Sequence, residues 1–386
     1  MPQGLPDSGR HPRHAHQRGG DLDAQPLAGA QAVILAGGEG TRLRPLTLTR
    51  AKPVVPLLNH PFLAYQLALL RQHGITDVVL ACSYRVDDVR AALGDGGAWG
   101  VRLRYAVEPD ARGTGGGIRH AADLARGTVV VLNGDVLTDA DLTAMARFHA
   151  ERASRTTIYL MAVPDPRPFG LVETEADGRL RAFKEKPKTP EELTTDTVNA
   201  GIYMIDAALL DRIPRGPVVS VEREVFPALI RDGIPAFGWI ARAYWRDIGT
   251  PASYREAQLD LLARRVRTPL APAGQETRGS WIADDARVAR GARIDPPSVI
   301  GPRAEVAAGA QVGPGTVIGA RCRIGAGARV DGAVLWEDVG VGAGATLRQC
   351  VAAAGAVIGA RARIGPGVTL EAGARVPDDA RLDGEA

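Results

Sequence analysis

Between residues 31 and 262, short runs of β-branched and aliphatic residues alternate with longer stretches in which apolar residues recur at helical spacing. Residues 32–35, 77–81, 101–107 and 128–132 read as strands, and 61–73, 86–93, 138–152 and 251–267 as helices. Strand and helix in alternation build βα units. This region, taken as 31–267, therefore predicts an α/β domain of Rossmann-like type around a mixed, mostly parallel sheet. From Ile282 the period changes to six: Ile282, Val288, Ile294, Ile300, Val306, Val312, Ile318, Ile324 and Val330. The frame slips by one residue to Leu335, Val341 and Leu347, and again to Ile358, Ile364, Leu370 and Val376, with glycine and alanine between. One aliphatic anchor per six residues, with small residues at the corners, is the signature of a left-handed parallel β-helix of hexapeptide repeats. At about 18 residues per triangular coil, residues 281–378 predict about five coils, the slips marking small bulges or loops. Residues 268–280 read as a linker, and 1–30 and 379–386 as tails.

Composition narrows the classes. Across 386 residues, 47 Lys+Arg stand against 44 Asp+Glu, so no charge-driven binding to nucleic acid is predicted. Glycine (46) and proline (27) make up about a fifth of the chain, which fits a fold that turns often. No apolar run approaches the roughly 18 residues of a membrane span, so a soluble protein with no membrane partner is expected. The first 28 residues carry His11, His14 and His16 among Pro, Gly and Arg, without the apolar core of a secretory signal, and read as a disordered tail. Cys82, Cys322 and Cys350 lie far apart and fit no metal-ligand spacing, so a reduced, cytoplasmic setting is the expectation.

The strongest local signal follows the first strand: Ala36-Gly37-Gly38-Glu39-Gly40-Thr41-Arg42-Leu43-Arg44-Pro45-Leu46-Thr47. Glycines there let the backbone approach a bulky anion, and amides can bond phosphate oxygens. The run lacks the Gly-Lys-Ser/Thr ending of a P-loop, and does not flow directly into a helix as the dinucleotide fingerprint does. Arg42 and Lys52 supply cations suited to a triphosphate. Asn133-Gly134-Asp135 follows a strand and so would stand at a carboxyl end of the sheet, where open α/β folds bind ligands.

The glycine string with Lys52-Pro53 resembles that of the sugar-1-phosphate nucleotidyltransferases. Further motifs follow in the family's order: Gly113-Thr114-Gly115-Gly116, Leu132-Asn133-Gly134-Asp135, Phe169-Gly170, Phe183-Lys184-Glu185-Lys186-Pro187, Asn199-Ala200-Gly201-Ile202-Tyr203 and Trp245-Arg246-Asp247-Ile248-Gly249-Thr250-Pro251. With Ser220-Val221-Glu222-Arg223-Glu224-Val225-Phe226-Pro227, Ala146-Arg147-Phe148-His149 and the hexapeptide repeats, the chain most resembles the mannose-1-phosphate guanylyltransferases that carry a β-helix. The resemblance implies that a nucleoside triphosphate and a sugar 1-phosphate are joined with release of pyrophosphate. It implies Mg²⁺ held by Asp135 and Asp247, which the sequence cannot bring together, lying more than a hundred residues apart. Catalytic roles fall to Arg42, Lys52 and Lys186. Nucleotide contacts fall to Ala36, Gly37, Gly38, Gly40, Thr41, Arg42, Glu108, Gly113, Thr114 and Gly134, and sugar-phosphate contacts to Gly170, Glu185, Lys186 and Asn199. In one place the chain departs from the family: a proline usual two residues before the first glycine of the base-binding loop is Ala111 here, followed by Arg112, which leaves that loop freer.

The implied reaction is GTP plus mannose 1-phosphate to GDP-mannose; alternatives are glucose-1-phosphate thymidylyl or adenylyl transfer. Two other classes compete. A β-helix acyltransferase would need a histidine base, and no histidine follows His149. A noncatalytic scaffold subunit, as in the nucleotide-exchange factor of translation initiation, would not need Arg42, Lys52, Asp135, Lys186 and Asp247. The flat faces of a β-helix, left free, predict a homo-oligomer formed through it.

Overall fold

The computed structural model describes Leu27 and residues 29–124 and 127–384. The histidines of the amino-terminal tail lie outside the described residues. A nine-stranded mixed sheet organises the first domain. Gln31–Leu35 lies between Asp77–Cys82 and Thr128–Asn133, with Arg102–Val107 outside Asp77–Cys82, and these four strands are parallel. Their Val, Ile and Leu content follows from burial on both faces. Val33, Val79, Val129 and Val131 join the apolar core on one side of the sheet, and Ile34, Val78, Leu80, Val130 and Leu132 the core on the other, as a period of two requires. Thr197–Asp206 adds antiparallel to Thr128–Asn133 and carries the sheet on to Thr156–Ala162 and to Gly170–Thr174 and Leu180–Glu185. A separate two-stranded ribbon pairs Val136–Thr138 with Trp245–Asp247.

Three elements depart from the sequence-based reading. The helix expected over 138–152 starts at Leu142, capped by the Asp141 carboxylate, because Val136–Thr138 is claimed by the ribbon. The glycine run 113–117, expected as a loop, opens the helix Gly113–Ala122. The last helix, Pro251–Leu262, begins on a Thr250/Ser253 capping box with proline in the first turn, and ends short of the expected residue 267.

The hexad region folds into three parallel sheets that share one interior column of aliphatic side chains, from Ile300 to Val376. Each face carries six parallel strands, so the stack has six coils rather than five: Arg381–Leu382, expected in the tail, pairs with Arg363–Ile364. Gln275–Thr277, in the expected linker, forms a hairpin with Ser280–Ile282 at the other end. The frame slips are not bulges. Val317 pairs with Val334 and Val334 with Val351, so two successive coils are 17 residues long where their neighbours are 18, each shortened at a corner. In the shifted frame Ala352 takes the place of an aliphatic anchor.

One of the three faces is not free. Its outward residues Val299, Val317, Val334 and Val351 are buried and belong to the same apolar core as Phe62, Leu63, Leu67 and Tyr254 of the first domain. On the other two faces the matching outward residues are Arg287, Glu305 and Arg323, and Arg293, Gln311 and Arg329, all exposed. The two faces that the first domain leaves free are therefore mostly polar. Among the described residues, no helix is long and apolar enough to cross a membrane.

Candidate active site

The carboxyl ends of the parallel strands open onto two adjoining cavities. The smaller, about 220 Å³, is lined by Ala36, Gly38, Gly40, Thr41 and Arg42 of the glycine string, with Lys52, Gly134, Asp135 and Gly249. The larger, about 630 Å³, is lined by Asn133, Phe169, Gly170, Glu185, Lys186, Asn199, Glu222, Trp245 and Asp247, among others. Arg42 and Asp135 line both. The wall of the smaller cavity adopts close-packed geometry that only glycine allows at two points, one in the string and one after the strand Thr128–Asn133. Gly40 has φ +65°, and a Cβ there would press on the Lys52 stem at 3.0 Å; a Cβ at Gly134 would strike the Leu35 carbonyl oxygen at 2.5 Å.

Asp135 and Asp247, distant in sequence, meet through the ribbon. Asp247 is paired in register with Val136, and the Ile248 amide donates to the Asp135 carbonyl at 3.0 Å. Lys52 Nζ, nearly buried, donates to Asp135 Oδ2 at 2.8 Å. The Arg42 guanidinium lies 3.8 Å from Asp247 Oδ2, with its side chain two-thirds exposed. It passes over Gly249, where a Cβ would come within 2.9 Å of the guanidinium. Burial raises the Asp247 pKa above the ordinary carboxylate value, and the Asp135 charge raises it further, against the pull of Lys52 and Arg42. Two carboxylates that repel one another beside a phosphate-sized cavity are a donor set a hard dication would relieve. Among the described residues no group of three or more His, Cys, Asp or Glu forms a closed cage, so most of such an ion's ligands would be water and phosphate oxygens, as suits Mg²⁺.

The larger cavity has its own acidic wall. Glu185 ends the strand Leu180–Glu185; burial raises its pKa, and the nearby Glu222 raises it further. Lys186 follows at φ +49° with its amide on the Phe169 carbonyl, and its ammonium stands exposed at the rim, 3.8 Å from Glu185. Asn199 donates to the Tyr203 hydroxyl at 2.8 Å and accepts from the Gly201 amide. Phe169 and Trp245 meet edge to face, and the Trp245 indole donates to the Ala200 carbonyl.

Three residues expected at the nucleotide line neither cavity: Gly37, Glu108 and Gly113. Gly37 packs against Ser83, whose hydroxyl donates to its carbonyl. Glu108 is buried beneath the glycine helix, and burial raises its pKa; its Oε1 meets no hydrogen-bond donor among the described residues. Thr114 lines the larger cavity, not the smaller one. Its hydroxyl donates to Glu222 at 2.6 Å and accepts from the Val221 amide at 2.9 Å. The glycine helix is also not as free as the missing proline implied. The Val219 amide donates to the Arg112 carbonyl and the Gly115 amide to the Val219 carbonyl, both at 2.9 Å, so segment 217–221 clamps it. Glu222 was missed as a site residue. It lies in the run Ser220-Val221-Glu222-Arg223-Glu224, read above only for its family resemblance, and the π-helical turn Val221–Val225 brings it to the wall of the larger cavity.

Comparison with known proteins bears on both halves. Residues 31–264 match the family Nucleotidyl transferase, and residues 278–382 match EIF2B subunit epsilon LbH domain. A mannose-1-phosphate guanylyltransferase of Mycobacterium tuberculosis is 43% identical over 273 residues, 70% of this chain and 74% of that protein. A UTP–glucose-1-phosphate uridylyltransferase of Synechocystis is 32% identical over 305 residues, 70% of this chain and 78% of that one. In fold, the chain is like the crystal structure of a putative glucose-1-phosphate thymidylyltransferase from Bacillus anthracis in complex with a sucrose. That likeness has TM-score 0.56 at 24% identity and covers 62% of this chain and 98% of the other.

Proposed function

The chain belongs to the nucleotidyl transferase family, as a sugar-1-phosphate nucleotidyltransferase with a carboxy-terminal β-helix, and on that premise we propose that it joins GTP to mannose 1-phosphate. The observation that carries the reaction is the pair of adjoining cavities that share Arg42 and Asp135. One has the glycine amides and cations for a triphosphate, the other the acids, amide and lysine for a phosphorylated sugar. The choice of guanine and mannose rests on the 43% identical relative and on others of the same name, such as that of Schizosaccharomyces pombe at 35% identity.

In the proposed mechanism the triphosphate lies along residues 36–42 with Arg42 and Lys52 against its charge, and the sugar lies in the larger cavity. Glu185 and Asn199 accept and donate to its hydroxyls, Gly170 contacts it through the backbone, and Lys186 binds its phosphate as a point charge. A phosphate oxygen of the sugar attacks the α-phosphorus as the bond to the β-phosphate breaks on the opposite side. The electron pair of that bond leaves with pyrophosphate, and no protein nucleophile takes part. Positioning of two anions and stabilisation of the transferring group's charge are then the main tasks of the chain. Asp135 and Asp247 would hold Mg²⁺, which supplies charge neutralisation at the phosphates when bound. A reducing, cytoplasmic setting is part of the proposal, in keeping with three buried cysteines, none in a disulfide. So is a homo-oligomer, which would have to form through the two polar faces of the β-helix.

The test is pyrophosphate release with Mg²⁺ across GTP, dTTP, ATP and UTP against mannose, glucose and N-acetylglucosamine 1-phosphates. Preference for GTP with mannose 1-phosphate is expected. Another preferred pair would keep the reaction and replace the substrates. Silence across the grid from folded protein would overturn both.

A further inference from the structure

The β-helix contains one aromatic residue beyond Trp281, and it stands where the repeat otherwise places a small one. After the strands Ser298–Ile300 and Thr316–Ile318 the corner begins with Gly301 and Gly319; after Val334–Leu335 it begins with Trp336-Glu337. Gly319 has no room for a side chain, because a Cβ there would lie 2.5 Å from the Trp336 backbone. Trp336 is 1% exposed and points out of the coil into the first domain, its indole donating to the Tyr254 hydroxyl at 2.9 Å. The Arg50 guanidinium lies 4.8 Å above its ring and reaches Glu337 through both terminal nitrogens. A charged pair that is three-quarters buried and stacked on an aromatic ring is held in place far more firmly than an exposed pair.

Arg50 is two residues from Lys52. The short segment between the glycine string and Lys52 is fixed at several points. The Thr47 hydroxyl donates to the Gly40 carbonyl, the Ala51 amide donates to Asp88, and the Lys52 stem lies against Gly40. The Arg50 contact is where the β-helix holds that segment.

We propose that Trp336 and Glu337 of the β-helix are positioning residues for nucleotidyl transfer, holding Arg50 and through it setting Lys52 against Asp135 and the glycine string. This rests on the reaction proposed above. On this view the β-helix is a working part of the catalytic domain and not an appended assembly module. A Lys52 ammonium displaced by even 1 Å meets the transition-state charge poorly, whereas ground-state binding of either substrate, spread over many contacts, changes little.

The test uses full-length Glu337→Gln and Arg50→Gln, singly and together, each also in a Lys52→Gln background, assayed with the substrate pair the wild type prefers. Each single variant should lower kcat by about 10-fold to 100-fold with both KM values changed by no more than about twofold, and the double variant should be no worse than the singles. In the Lys52→Gln background Glu337→Gln should cost nothing more. Wild-type kcat in Glu337→Gln, or the same loss with Lys52 already removed, would overturn the proposal and leave the contact as domain adhesion alone. Should Glu337→Gln fail to fold, Arg50→Lys, which keeps the charge but loses the two-pronged contact, carries the same readout. Wild-type enzyme silent on every pair would sink the functional reading itself, a different result from active wild type with unaffected variants.

Discussion

Lys52 makes two kinds of contact at once: its ammonium donates to Asp135, and its methylenes fill the space that Gly40 leaves. Arg42, by contrast, is largely exposed and loosely placed near Asp247, as befits a cation waiting for an anionic partner. Arg42→Ala and Asp135→Ala are each expected to lower kcat by about 10²- to 10³-fold in a pyrophosphate-release assay, with little change in thermal stability. Glu108 offers a test independent of catalysis. Its folded pKa is raised above the ordinary value of 4.5 by burial, so the fold favours the neutral acid. The stability it contributes is fully present below the ordinary pKa and is lost as pH rises through the folded one. Glu108→Gln fixes the neutral state, so its Tm should exceed that of wild type at pH 8, with the gap closing near pH 4; an equal gap at both pH values would contradict the assignment. The cations of the smaller cavity were legible in the sequence because glycine, arginine and lysine stand within one short stretch, whereas the pairing of Asp135 with Asp247 was implied only by the resemblance. Glu222 was not, since nothing local distinguishes an acid turned inward by a π-helical turn from one in water.

At the scale of elements, strands were easier to read than their boundaries. The four parallel strands stand within a residue of their expected ends, because continuous aliphatic runs bounded by turns leave little choice. The glycine run 113–117, a loop by resemblance, opens a helix although glycine is a poor helix former. Here tertiary packing overrides propensity: a Cβ at Gly113 would strike the Val219 carbonyl oxygen at 2.5 Å, and one at Gly115 would come to 3.0 Å from it, so the helix can lie on segment 217–221 only without side chains. Thr114 ties the two together. Thr114→Val keeps the shape and leaves the Val221 amide and Glu222 each short of a partner. Its cost should be about 1–3 kcal/mol, measured as a lower urea midpoint with unchanged slope.

For the molecule as a whole, the docking face of the β-helix was present in the sequence but hidden by the repeat. The residue before each interior anchor is outward; in two strands of each coil it is mostly charged or polar, and in the third, through the four middle coils, it is Val299, Val317, Val334 and Val351. The coil length, 18 residues from Val299 to Val317 and then twice 17, laid over the period of six reveals it. Because those valines share one apolar core with the first domain, both domains should unfold together in a single calorimetric transition. Val317→Asp, which buries an unpaired charge in that junction, should cost on the order of 4 kcal/mol and lower the Tm of both domains alike. Two separate transitions in the wild type would mean that the shared core does not couple them.

Trp336 stands in the fourth coil, and the docked face counts coils up to it from the hairpin at Ser280. The stack is thus graduated like a ruler: its early divisions are fixed by what they must reach, while its far end overhangs. Length changes should be tolerated on opposite terms at the two ends. One extra 18-residue coil appended after Leu382 lengthens the overhang and should leave activity and Tm near wild type. The same coil inserted before Thr316 carries Trp336 about 4.8 Å, one strand spacing, past Arg50 and should abolish transfer.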